Sequence, residues 1–368
     1  MNLLIMTTHL NPGGISRYVI NLSKGLTGNH NVWVAASGGR WKDKLTDNGV
    51  GFYPISINTK SILSIKVFVS FFKLIPFVLK NKIELISSNT RVTQFLSYLL
   101  YRALGIGYVS VFHGFYRPSL ERRLFKFEGL ETIAVSQAAK LHLIKDLKIK
   151  EERVKVIYNG IDKEEFGVKR CRKSDFGVNE NDVVIGMLGR ISEEKGHFLV
   201  VEAFRLLQVE HKNVCLLICG EGKLKEKLKG VVSKQGLKDR VRFLSRDAED
   251  FLDLIDILVV ASSREGFGFI VLEAFAKRVC VVASGVGGLK EIIKDKKNGV
   301  FFNEYTPQSL VEVLEGLLKD VSLREAIAVA GKKSLEEFSL SKMVKATEEV
   351  YKEILGRNFH RHKNLDYK

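Results

Sequence analysis

Cysteine is scarce: Cys171, Cys215, Cys219 and Cys280 are the only four in 368 residues, too few and too scattered for a disulfide framework. Cys215 and Cys219 sit in the apolar run 214–219, where small core residues are expected. No G-x-G-x-x-G follows the first apolar run; Asn11-Pro12-Gly13-Gly14 stands there, which argues against a nicotinamide dehydrogenase. The opening MNLLIMTTHL has no basic region before its apolar residues, so it reads as a strand and not as a signal peptide, and a cytoplasmic protein is expected. Acid is scarce in one half. Residues 1–160 carry 22 Lys and Arg against 9 Asp and Glu, a net +13 of the total +16, whereas the remainder is nearly balanced at +3. An anionic partner or an anionic surface is therefore expected at the N-terminal half. No nucleic-acid module accompanies that charge, so nucleic acid is not the expected partner.

What is present is an ordinary globular composition, 45% hydrophobic and 27% charged, in a chain long enough for two or three domains. Short apolar runs alternate with longer amphipathic stretches, the pattern of a parallel sheet crossed by helices. Strands are expected near residues 3–8, 31–36, 85–88, 108–112, 132–135 and 154–157. The pattern restarts at 183–188, 214–219, 241–243, 257–261 and 279–283. The polar stretch 159–172 separates the two series. The expected class is α/β, two Rossmann-like doubly wound domains facing across a cleft, over residues 1–163 and 164–340. Ligands are expected at the carboxyl ends of the strands. A helix over 341–356 has room to cross back onto the first domain, and 357–368 reads as a basic tail.

Residues 62–79 are nearly all apolar, but Lys66 and Lys73 disfavour a membrane span by about 2.5–3.5 kcal/mol each at its centre. Pro76 is expected to break the last turn. Lys66, Ser70, Lys73 and Lys80 share one narrow stripe and leave a wide apolar face. Two readings stay open: a buried crossover helix, or a helix seated in a membrane interface.

The strongest chemical signal is Arg264-Glu265-Gly266-Phe267-Gly268-Phe269-Ile270-Val271-Leu272-Glu273-Ala274-Phe275-Ala276. A strand ends, a glycine-containing turn follows and a helix begins, so unpaired N–H groups suited to phosphate lie between two carboxylates. Carboxylates hold sugar diols by accepting their hydroxyl protons. A pair flanking such a turn could grip a sugar, a diphosphate and a ribose in order. The plain alternative is a turn-capping Glu265 and a solvated Glu273.

Two glutamates seven residues apart within EGFGFIVLEAFA resemble the signature of family 4 of the retaining glycosyltransferases, which adopt the two-domain GT-B fold. Further pieces follow in that family's order: Pro12-Gly13-Gly14, Val135-Ser136, Asn159-Gly160-Ile161-Asp162, Gly189-Arg190-Ile191 with Glu194-Lys195-Gly196, Gly220-Glu221-Gly222 and Gly287-Gly288-Leu289-Lys290-Glu291. Two departures stand out. Arg278-Val279-Cys280 replaces the usual Gly-x-Pro, and Asn303 replaces the usual aspartate.

The resemblance implies roles. Arg190 and Lys195 would pair with the donor diphosphate, each worth roughly 4 kcal/mol of gross attraction at an effective dielectric near 20. Gly13, Gly14, Gly266, Phe267, Gly268 and Phe269 would supply main-chain donors, Glu265 would hold the donor sugar and Glu273 the ribose. The base would lie near Gly220, Glu221 and Arg246, the last of which has a plain surface role as its equal competitor. His113, in Phe112-His113-Gly114, matches the active-site histidine. The first domain would face the acceptor, with Lys66, Lys73, Arg117, Arg122, Arg123 and Lys126 on that side.

The implied reaction is retaining transfer from a nucleotide-diphosphate sugar to a saccharide or polyprenyl-linked saccharide, at the cytosolic face of an anionic membrane. A cation pair in place of Asp-x-Asp implies no metal, and no cofactor is expected. A nucleotide-sugar epimerase on the same fold and a non-catalytic sugar-binding partner subunit are the competing readings.

Overall fold

The protein is described by a computed structural model covering residues 1–167 and 171–363; at Glu121, Arg123 and residues 358–363 only the backbone is described. The chain divides into two compact units, Met1–Gly160 with Leu340–Lys368, and Ile161–Ser339.

The first unit is a seven-stranded parallel sheet of β1 (Asn2–Met6), β2 (Asn31–Ala36), β3 (Gly51–Pro54), β4 (Leu85–Ser88), β5 (Gly107–Phe112), β6 (Glu131–Ala134) and β7 (Val154–Val156), in the order β3-β2-β1-β4-β5-β6-β7. The second is a six-stranded parallel sheet of β8 (Val183–Leu188), β9 (Val214–Cys219), β10 (Val241–Leu244), β11 (Ile257–Val260), β12 (Cys280–Ser284) and β13 (Val300–Phe302), in the order β10-β9-β8-β11-β12-β13. Central strands such as β4, β5, β9 and β12 are buried along their whole length, which is why they read as unbroken apolar runs. Strands β3 and β13 escape such a reading because they are four- and three-residue edge strands.

Each order reverses direction once. In the first unit the chain builds outward from β1 to β3 and then returns to place β4 on the other side of β1. In the second it builds from β8 to β10 and returns to place β11 beside β8. A reversal leaves a crevice beyond the carboxyl ends of the two inner strands, because the flanking helices diverge to opposite faces. The loops after β1 and β4, and after β8 and β11, therefore occupy the two favoured ligand positions.

Local signals fix the helices that carry these loops. Thr90 and Thr93 form a reciprocal cap at the start of Arg91–Leu104, and Gly105 ends it in the left-handed region (φ 72°). Ser136 Oγ accepts from Ala139 N at 3.0 Å and caps Gln137–Lys145. The C-terminal helix, Leu340–Lys363, belongs to the first unit. Its Met343, Val350, Tyr351 and Ile354 are buried, and His30 Nε2 meets Glu348 Oε1 at 3.0 Å. It runs seven residues past the expected end at 356, so helix occupies most of the expected tail; residues 364–368 lie outside the described residues.

Two expectations for residues 62–79 are corrected. The helix Ile65–Lys80 continues through Pro76, which sits on its exposed face. Nor is it simply buried: Val67, Leu74 and Val78 are, while Ile65 and Phe72 are 76% and 68% exposed. Among the described residues no helix is long and apolar enough to cross a membrane.

Candidate active site

At the second unit's crevice the loops after β8 and β11 are joined by an ion pair. Lys195 lies in the turn Glu193–Lys195, and its Nζ donates to Glu265 Oε2 at 2.6 Å. Ser262 Oγ donates to the same oxygen at 3.0 Å. Ser263 N donates to Glu194 O at 2.8 Å, so the backbones are tied as well as the side chains. Gly196 makes this approach feasible: its φ is 74°, and a Cβ there would lie 2.1 Å from Ala261 O. Glu265 is held from its other side too, since Gly288 N donates to its carbonyl at 3.0 Å.

The neighbouring strand end closes in similarly. Gly189 N donates to Cys219 O at 3.0 Å, and Ile191 N to Glu221 O at 2.9 Å. Gly220 passes so close that a Cβ would sit 1.9 Å from Gly189 O. Arg190, between these contacts, is exposed, and the Glu221 side chain points away from the sheet end to pair with Lys225 at 2.6 Å. Arg246 brings its carbonyl within 3.4 Å of Cys219 Sγ, but its guanidinium lies over the Phe176 ring at 5.4 Å.

Residues 266–268 are buried and lead into the helix Phe269–Ala276, where Val271 N donates to the Gly268 carbonyl at 2.9 Å. Phe267 is packed edge-on against Phe269 and Phe338, each at 6.0 Å, which fixes the turn. Glu273 is not the solvated helix residue of the plain reading: it is 5% exposed. Where the family's Gly-x-Pro is absent, Arg278 takes the left-handed conformation itself (φ 56°). Cys215 and Cys219 are buried, unbridged residues of β9.

In the first unit the loop after β1 is clasped by the loop after β2. Leu10 N donates to Gly38 O at 2.8 Å, Trp41 N to Leu10 O at 2.9 Å, and Arg40 N to Asn11 Oδ1 at 3.2 Å. Gly13 and Gly14 follow, both exposed, and Gly13 O accepts Arg17 N as the helix Gly14–Thr27 begins. At the end of β5, His113 Nε2 meets Asn89 Oδ1 at 3.0 Å, and the Tyr18 ring stands edge-on to the imidazole at 4.7 Å.

Asn89 is fully buried at the end of β4 and was not marked by any sequence motif. Its Nδ2 reaches the carbonyls of Met6 (3.2 Å) and Ser87 (3.4 Å), which can only accept. Its Oδ1 must therefore face His113, so His113 Nε2 carries the proton and Nδ1 presents a lone pair. Burial holds the imidazole pKa down to about 3, so the ring is neutral near pH 7.

The basic residues named for the acceptor side are spread over the first unit. Lys66 and Lys73 are exposed on the helix Ile65–Lys80, and Arg117 is exposed. Arg122 lies over the Tyr116 ring at 5.1 Å, and Lys126 Nζ donates to Lys148 O at 2.5 Å. The Arg123 side chain lies outside the described residues.

Two parallel doubly wound units are the fold of a GT-B glycosyltransferase. Residues 12–165 match the model of Glycosyltransferase Family 4, and residues 169–334 that of Glycosyl transferases group 1. An uncharacterized glycosyltransferase of Methanocaldococcus jannaschii is 29% identical over 376 residues, covering 94% of this chain and 96% of its own. A second from that organism is 30% identical over 286 residues, covering 74% and 76%. A Campylobacter jejuni N-acetylgalactosamine-N,N'-diacetylbacillosaminyl-diphospho-undecaprenol 4-alpha-N-acetylgalactosaminyltransferase is 27% identical over 217 residues, 58% of this chain and 57% of its own. In fold, Anabaena HepE, solved in complex with UDP and glucose, superposes with a TM-score of 0.84 at 20% identity over 96% of this chain and all of its own. The chain belongs to the GT-B glycosyltransferases, in the family 4-like group.

Proposed function

We propose that this glycosyltransferase moves a hexose from a nucleotide-diphosphate sugar to a saccharide or polyprenyl-linked saccharide, with retention and without a metal ion, at the cytosolic face of an anionic membrane. The observation that carries the reading is the Lys195–Glu265–Ser262 cluster at the β8/β11 switch point, against the buried 266–268 turn. The ammonium and the carboxylate satisfy each other. A diphosphate entering beside Arg190 and the helix start draws Lys195 toward it and frees Glu265 to accept sugar hydroxyls. The site thus holds the charges that the reaction needs and does not have to assemble them.

In the reaction, the bond from the anomeric carbon to the β-phosphate oxygen breaks as the acceptor oxygen attacks the same face. The acceptor proton passes to the departing phosphate. The protein's share is positioning and compensation of the charge that grows on the leaving group. HepE was solved with UDP and glucose, which supports a nucleotide-sugar donor, and the Campylobacter relative's name supports a polyprenyl-diphosphate acceptor.

The test is calorimetric titration of UDP-, GDP- and ADP-hexoses in EDTA, followed by NMR of the product anomer on slow hydrolysis. Binding of one donor class, and at least a hundredfold lower turnover in Glu265→Ala, are expected. Failure of all three classes to bind, or unaltered turnover in Glu265→Ala, would overturn the assignment.

A further inference from the structure

The helix Ile65–Lys80 is apolar on two opposite faces, and among the described residues only one of them is buried. At 100° per residue, Val67, Ser70, Leu74, Phe77 and Val78 fall in one arc of about 100°, and all are buried in the first unit. Ile65, Phe68, Val69, Phe72 and Leu79 fall in an opposite arc of about the same width, and all are exposed. Lys66, Lys73 and Lys80 lie between the arcs along one flank, and the helix contains no acidic residue.

The exposed arc does not end at the helix. Phe68 meets Phe95 edge-on at 6.4 Å, Phe95 meets Phe127 at 5.1 Å, and Phe127 stacks with Phe125 at 6.3 Å. Phe125 is 56% exposed, and Leu120 and Leu124 of the adjoining short helix Leu120–Leu124 are exposed further. Soluble surfaces seldom carry so many large apolar side chains along one line.

We propose that these two apolar segments form a single docking face that rests in the headgroup region of an anionic bilayer, with the helix Ile65–Lys80 parallel to the membrane plane. The row of lysines is the argument for lipid. Ammonium groups flanking an apolar stripe reach anionic headgroups while the stripe enters the acyl boundary. A second copy meeting the same face would set lysine rows of one sign against each other, within a unit whose first 160 residues carry +13. The inference deepens the membrane part of the proposed function: it names the residues that enter the lipid, and it places a polyprenyl-linked acceptor's anchor and the first unit on one surface.

The experiment uses the full chain with no donor or acceptor, so its outcome is independent of whether transfer is ever detected. Co-sedimentation is measured with vesicles of 70% phosphatidylcholine and 30% phosphatidylglycerol, and with pure phosphatidylcholine. Preference for the anionic vesicles, weakened by salt, is expected. Ile65→Ser with Phe72→Ser should lower partitioning at least tenfold, as should Leu124→Ser with Phe125→Ser. Lys66→Gln with Lys73→Gln should lower it about thirtyfold, near fivefold for each lysine. All these side chains are exposed, so an unchanged thermal midpoint certifies folding. Equal vesicle binding by the wild type and the serine variants would overturn the proposal. So would a dimer in lipid-free sedimentation that the Phe72 change converts to monomer, since the face would then belong to a second copy.

Discussion

The two halves of this chain are one architecture used twice, and their switch points are furnished in opposite ways. In the second unit the crevice holds a fixed cation and anion 2.6 Å apart. In the first it holds an imidazole kept neutral by burial, with its tautomer set by a buried amide. The topology that makes a crevice is common to both, so the crevice alone carries no chemistry. The second suits a ligand whose charge must be matched. The first suits a ligand that offers a hydroxyl proton to the Nδ1 lone pair. The net charges reverse this order, since the nearly balanced unit has the charged site and the strongly basic unit the neutral one. The basic excess therefore answers to the first unit's surface and not to its crevice.

A sharper comparison lies within the second unit, where three lysine–carboxylate pairs share a 2.6 Å length and two of them differ sharply in burial. Lys277 and Asp253 are 6% and 2% exposed in their side chains, while Lys195 and Glu265 are 33% and 16%. Replacing Lys277 by Met takes the ammonium away from a buried carboxylate and should cost about 3–5 kcal/mol in denaturant unfolding of that unit. Replacing Lys195 by Met leaves a partner that water can reach, so stability should change by less than about 1 kcal/mol. Donor turnover should fall by about 10²–10³. If Lys195→Met proves the more destabilising of the two, the pair is structural and the comparison collapses.

The next effect in size is acid sensitivity, expected in both units for the same reason. Burial lowers His113 to about 3 and His197, fully enclosed beside Lys195, to about 4. On unfolding each returns to about 6.5 and takes up a proton below that pH. The unfolded state then binds more protons, so stability is complete above pH 6.5 and falls as pH drops toward 4. Each histidine contributes a slope of up to about 1.4 kcal/mol per pH unit. Urea titrations at pH 7 and 4.5 on the wild type, His113→Gln and His197→Gln measure it. Each variant should lose less between the two pH values than the wild type, and an equal loss refutes the assigned shifts.

How much of this was legible in the sequence divides along the same line. The second unit's candidate residues stand out because marked spacing follows its apolar strands: Gly189-Arg190 and Glu194-Lys195-Gly196 after β8, and Glu265 after β11 with Glu273 in the helix beyond it. The pairing of Lys195 with Glu265 was not readable, since seventy residues separate them and only the β8/β11 adjacency joins them. In the first unit His113 had a motif, but Asn89 follows a Ser-Ser strand end and resembles any turn residue. The helix Ile65–Lys80 shows a different limit. Periodicity reported how wide its apolar arc is, but which half of that arc finds a partner depends on where the neighbouring strands lie. Pro76 was misjudged for a related reason. Lacking an N–H costs a helix least where water can satisfy the freed carbonyl, and its place on the outer face provides that.

The smallest and most specific test concerns that unmarked asparagine. Asn89→Asp keeps size and shape and leaves an oxygen where Oδ1 stands, so His113 Nε2 still has an acceptor, although the bonds from Nδ2 to Met6 and Ser87 are lost at every pH at which the new carboxyl is ionised. It also places a negative charge about 3 Å from the imidazole, which favours the protonated ring and raises its pKa. In the wild type no acid limb from His113 is expected in a turnover profile above pH 5, because the ring stays neutral there. In the variant a limb should appear at a higher pH than in the wild type, with turnover falling as pH drops and Nδ1 gains its proton. At pH 8, where the ring is again neutral, turnover should recover to within a few-fold of the wild type. A purely structural Asn89 would lower turnover equally at every pH. Nitrogen-15 shifts of the ring distinguish the cases without any substrate, since the wild type should show a proton on Nε2 alone. A proton on Nδ1 instead would reverse the first unit's role, making His113 a donor, and would remove the contrast between the two crevices.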